Sequence, residues 1–174
     1  MLPRAIAAAI QFPKLDAADF TATKFDTAEE KTKFGNHLLR FIAEDFPKAL
    51  WSKVFYRRLS MTFSNIAHYN EHGFWETWFE TTADQISFLE NIARYPCWGD
   101  PAYTYSDVET VIRKRVNKCG VIAWKQRQLA DENKRNDLAQ LARLKRLYEP
   151  DTAPTLGQLP AAAPPEMTQI DLFS

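Results

Sequence analysis

Thr27-Ala28-Glu29-Glu30-Lys31-Thr32-Lys33-Phe34-Gly35-Asn36-His37-Leu38-Leu39-Arg40-Phe41-Ile42-Ala43-Glu44-Asp45 decides the fold. Thr27 followed three residues later by Glu30 has the form of a capping box, in which each side chain satisfies the other residue's backbone N–H. Phe34, Leu38, Phe41 and Ile42 then recur at helical spacing, so one face of this segment is apolar. The helix should end near Asp45, because Pro47 disfavours helical backbone at the residue before it.

The same grammar repeats outward. A run from about Lys48 places Trp51, Phe55, Leu59, Phe63 and Ile66 on one face. Gly73 marks a break. From Phe74 to Tyr95 the aromatics Phe74, Trp75, Trp78 and Phe79 lead into Ile86, Leu89 and Ile92. Thr82 and Gln85 have capping-box form, which would make this region two short helices meeting at Thr81. Pro96, Gly99 and Pro101 predict a loop. Ser106-Asp107-Val108-Glu109 is another capping-box pattern, opening a helix to about Cys119 that Gly120 interrupts.

A last helix is expected from Val121 to Tyr148, with Leu138, Leu141, Leu144 and Tyr148 on one side near its end. Its middle, Ala130 to Asp137, is polar all round and should be exposed or bent. No alternating strand pattern appears. The expected architecture is all-α: about five helices over residues 1–149, a Pro/Ala-rich linker over 150–168 and a terminal peptide over 169–174. The aromatics Trp51, Trp75 and Trp78 are read as core residues.

Composition agrees with one globular domain. Of 174 residues, 45% are hydrophobic and 13% aromatic, too many for a disordered chain. Cys97 and Cys119 have no paired spacing, and they read as reduced thiols in a cytoplasmic protein. The Ala5–Ile10 run meets Pro13 too soon to be a secretory core, and no stretch approaches a membrane span.

The net charge is zero but unevenly placed. Residues 112–148 carry eleven cations (Arg113, Lys114, Arg115, Lys118, Lys125, Arg127, Lys134, Arg135, Arg143, Lys145, Arg146) against Asp131, Glu132 and Asp137, a surplus of eight. Such a segment is either a polyanion-binding surface or a solvated helix whose charges keep it soluble or cover an acidic face. Arg113, Lys114, Arg115, Lys118, Lys125, Arg127, Lys134 and Arg135 are the candidate DNA-contacting cations. Trp124 joins them as a candidate for stacking on a base. Its simpler role is to anchor the helix to the core.

Catalytic signatures are scarce. His68-Tyr69-Asn70-Glu71-His72 matches the letters His-x-x-Glu-His of the inverted zinc metalloproteases, with His68 and His72 as ligands and Glu71 activating water. Gly73 follows at once, where a sustained helix would be wanted. A helix-end histidine pair is the plainer reading, and a metal-dependent hydrolase or nuclease is the alternative function. There is no phosphate-binding Gly-rich loop and no nucleophile elbow, and nothing in the chain calls for a cofactor.

The tail carries the most specific motif. Five prolines (Pro150, Pro154, Pro160, Pro164, Pro165) interspersed with alanines make an extended, semi-rigid tether of about 3 Å per residue. It leads to Gln169-Ile170-Asp171-Leu172-Phe173. Leu172 and Phe173 are adjacent apolar side chains suited to a partner's pocket, each contributing roughly 1.5–3 kcal/mol if fully buried. The amide of Gln169 can donate and accept at the rim. Asp171 adds an acceptor or a charge, and Ile170 a lesser apolar contact.

This pentapeptide resembles the one by which bacterial replication and repair proteins dock on the DNA polymerase sliding clamp, and it matches that pattern at all five positions. The resemblance implies anchoring roles for Gln169, Leu172 and Phe173. It covers none of residues 1–149. It implies an accessory or regulatory protein of replication, repair or a mobile element, recruited to the clamp or inhibiting it. The helical body would bind DNA or another protein. The competing reading is a terminal clasp folding back on that body.

Overall fold

The computed structural model describes residues 1–63, 72–95 and 99–149. It divides into two compact units, Met1–Arg135 and Asn136–Ser174. Among the described residues there are seven α-helices and no strand: α1 Arg4–Gln11, α2 Ala28–Ala43, α3 Lys53–Thr62, α4 Phe74–Phe79, α5 Thr82–Arg94, α6 Ser106–Lys118 and α7 Val121–Tyr148. Short 3-10 turns occupy Ala17–Asp19 and Lys48–Leu50. The all-α class is as expected, and the count of seven exceeds the expected five or so. The addition is α1, which the sequence did not announce, whereas the division of the Phe74–Tyr95 region near Thr81 is the one the Thr82–Gln85 pattern suggested.

In the first unit α2 is the central element. Its start is the predicted capping box: Thr27 Oγ1 accepts from the Glu30 amide at 3.3 Å, and Glu30 Oε2 accepts from the Thr27 amide at 2.9 Å. Phe34, Leu38, Leu39, Phe41 and Ile42 are buried. The N-terminal loop approaches so closely at Gly35 that a Cβ there would stand 2.6 Å from Leu15 Cδ1, which explains a glycine inside a helix.

The end of α2 explains the packing around it. Asp45 and Phe46 both adopt left-handed backbone, with φ of 72° and 59°. The Phe46 amide donates to Phe41 O at 2.9 Å and the Asp45 amide to Ile42 O at 3.1 Å. That is a Schellman cap with aspartate where glycine is usual. Phe46 tucks edge-on against Phe41, with centroids 5.4 Å apart, and stacks on Phe79 at 5.2 Å. Burial of this ring offsets the left-handed strain. The aromatic core continues through Phe55, Phe74 and Phe88. Trp51, Trp75 and Trp78 pack against it half-buried.

Three expected helix starts shift. The run expected from Lys48 begins as α3 at Lys53, with Ser52 Oγ capping the Phe55 amide at 3.1 Å. Trp51 thereby lies outside the helix and stacks on Phe74 at 5.5 Å. The cap of α5 is Thr81, not Thr82: its hydroxyl accepts from the Asp84 amide at 3.1 Å. Gln85 is instead buried, donating to Phe79 O at 2.7 Å. The Ser106 box does not form, because α6 has Tyr105 at its N-cap without a side-chain bond. Ser106 Oγ donates to Gly99 O at 2.8 Å, holding the preceding loop.

Two lysines lie inside this core, both essentially unexposed. Lys31 Nζ donates to the carbonyls of Pro101 and Thr104, each at 2.8 Å, and pairs with Asp107 at 3.1 Å. It pins the loop before α6 onto α2. Nearby, Arg58 pairs with Asp26 and donates to Tyr105 Oη at 2.6 Å. Burial pushes the Tyr105 phenol up to about 12. In the second unit, residues 136–148 belong to α7, with Leu138, Leu141, Leu144, Leu147 and Tyr148 exposed. No helix among the described residues is long and apolar enough to cross a membrane.

Candidate nucleic-acid interface

The basic helices α6 and α7 supply the candidate surface, and the structure sorts their cations into two groups. Lys114, Lys118, Arg127, Lys134 and Arg135 are exposed. Lys114 and Lys118, four apart, share one face of α6. The others are committed to the fold. Arg113 pairs with Glu109 of its own helix at 3.7 Å. Arg115 donates from Nη1 to Ile10 O at 3.0 Å and from Nη2 to Pro13 O at 2.6 Å, tying the end of α1 to α6. Burial lowers the pKa of its guanidinium, with Asp19 opposing that shift.

Lys125 is a correction to the charge count. Its ammonium is internal, donating to Gln85 Oε1 at 2.5 Å and ion-pairing with Asp45 Oδ1 at 2.5 Å. It cannot reach a phosphate without leaving that pocket. Burial alone would raise the Asp45 pKa, but the ammonium of Lys125 and the amino group of Met1 outweigh it and hold the carboxyl below its ordinary value. Trp124 is half-buried and packs against the core, as its anchoring role requires.

Among the described residues of this unit, three concavities bear on the site. One, of about 400 Å³, is lined by Trp124, Arg127, Gln128, Asp131 and Arg135. A second, of about 310 Å³, lies between the end of α1 and α6 and includes Lys114, Arg115 and Lys118. A third, of about 300 Å³, opens between α2 and α3 over Phe34 and Phe55, with Lys33, His37 and Arg58 beside them. His37 Nε2 lies 3.0 Å from Leu50 O, so the ring donates there. None of the residues of this third hollow stood out in sequence, because Phe34 and Phe55 read simply as core positions.

The remaining candidates lie elsewhere. His72 is exposed in the turn before Gly73, whereas His68 and Glu71 lie outside the described residues. Cys97 also lies outside them. Cys119 is half-buried and burial raises its thiol pKa, the reverse of what an activated nucleophile needs. Gln169, Ile170, Asp171, Leu172 and Phe173 lie outside the described residues too. No protein-family model, curated protein or solved structure matches this chain.

Proposed function

We propose that this chain is an accessory or regulatory protein of DNA replication or repair, or of a mobile element, that docks on the bacterial DNA polymerase sliding clamp through Gln169–Phe173. The observation that carries the proposal is the pentapeptide itself, preceded by a proline-rich tether. The helical body supplies the second contact. Its exposed Lys114, Lys118, Arg127, Lys134 and Arg135 provide a surface for phosphates. Docking one end raises the effective concentration of the other, so two weak contacts combine into a useful affinity.

Calorimetric titration of a sliding clamp with the full chain and with a form ending at Thr168 tests this. Micromolar or tighter binding that is lost on truncation is the expected result. Phe173→Ala should remove most of the binding while leaving thermal stability unchanged. Equal behaviour of the full and truncated forms overturns the proposal, and a large loss of stability in Phe173→Ala would identify a clasp instead.

A further inference from the structure

The groove between α1 and α6 combines an exposed aromatic ring with cations that the sequence holds about a hundred residues apart. Phe12, just beyond the last turn of α1, is 57% exposed although its neighbour Ile10 is fully buried. Its ring lines the groove together with Ala9, Pro13, Val111 and Cys119, which form an apolar floor. Lys14 Nζ stands 5.2 Å from the centre of the Phe12 ring. Lys114 and Lys118 add two more exposed ammonium groups from the opposite wall. Arg115 spends its guanidinium on the carbonyls of Ile10 and Pro13, and so fixes the two walls relative to each other. No carboxylate is among the lining residues.

An exposed ring with one ammonium already against it and two more exposed ammonium groups lining the same groove is an arrangement for a ligand with a flat apolar face and a negatively charged backbone. We propose that this groove binds single-stranded nucleic acid, one base lying on Phe12 while Lys14, Lys114 and Lys118 meet the neighbouring phosphates. Base–aromatic stacking needs a base whose face is free. In a duplex both faces are covered by neighbouring pairs, so the groove selects the single strand. A volume of about 310 Å³ lies at the small end of ligand pockets and suits one nucleotide unit. This inference rests on the nucleic-acid role of the body proposed above, and it is independent of the clamp.

The test uses the full chain and fluorescence anisotropy of three labelled probes: an oligothymidylate, an abasic strand of equal length and a duplex. The oligothymidylate should bind tightest. Phe12→Ala should weaken it about tenfold, to the level of the abasic strand, and leave abasic binding unchanged. Phe12→Trp should keep or strengthen binding. Lys114→Glu with Lys118→Glu should weaken both strands and flatten the salt dependence.

A duplex that binds as well as the single strand overturns the groove assignment. So does a Phe12→Ala protein that still folds, by its circular dichroism, and binds oligothymidylate unchanged. Displacement by polyglutamate as effective as by oligothymidylate would mean an acidic peptide is the ligand class. Failure of the full chain to bind any of the three probes would overturn the nucleic-acid role of the body altogether, leaving the clamp titration to stand or fall alone.

Discussion

Helices α2 and α7 use similar residues for opposite ends. Eight of the sixteen residues of α2 are buried, including a lysine, whereas α7 buries only Val121 and Lys125 of its twenty-eight. Both helices are rich in cations. In α2 the lysine that matters is internal and ties a distant loop to the helix. In α7 nearly all the charge faces water, and the exception, Lys125, is the residue a charge count would assign to the wrong surface. A cation's position in a charged run therefore says little about its role, and its angular position on the helix says much more. Lys125 stands four residues after buried Val121, on the face that meets the core.

Variants can break this contrast, beginning with the largest effect. Lys31→Met removes a fully buried ammonium from two carbonyls and takes the counter-charge from Asp107, which is 14% exposed. It should cost about 3–5 kcal/mol in a urea titration. Asp45→Asn keeps a residue that tolerates left-handed backbone but leaves Lys125 without its counter-charge. Asp45 retains some contact with water, at 19% exposure, so the expected loss is smaller, about 2 kcal/mol.

That second variant also has a pH signature. The Asp45 carboxyl is lowered in the folded state, so its contribution is complete above the ordinary carboxylate range. It is lost as the pH falls below about 4, through the lowered value. Asp45→Asn should therefore flatten the acid limb of stability against pH, as measured by the urea midpoint at successive pH values. At the far end of the scale, Leu141→Ser on exposed α7 should shift stability by no more than about 0.5 kcal/mol. A large loss there would mean that the leucines of this segment are covered in solution.

The sequence made legible whatever depends on neighbours along the chain. The Thr27–Glu30 box, the break at Gly120 and the full extent of α7 follow from short-range rules. The Ser106 pattern failed for a reason those rules do not contain: the helix begins one residue early, with Tyr105 at its N-cap, and the Ser106 hydroxyl donates to Gly99 O in the preceding loop. The aspartate at the end of α2 hid a Schellman cap because glycine is its usual mark. Helix α1 escaped notice because its short alanine-rich run carries no cap signal: Pro3 at its N-cap makes no side-chain bond.

The candidate site was legible in its charges but not in its shape. Lys114 and Lys118 were named from sequence, but nothing local connects them with Phe12 or Lys14. That pairing comes from the tertiary fold, in which Arg115 bonds the carbonyls of Ile10 and Pro13 and ties the end of α1 to α6.

The ion pair of Lys125 also bears on how the chain is made. Its partners, Asp45 and Gln85, leave the ribosome well before residue 125 does, at about 5–20 residues per second. Until the first turn of α7 emerges, the loop after α2 holds an aspartate without its ammonium, and the aromatic core beneath Phe46 lacks one of its walls. Completion of the core beneath Phe46 thus waits on the first turn of the same helix that carries much of the exposed charge.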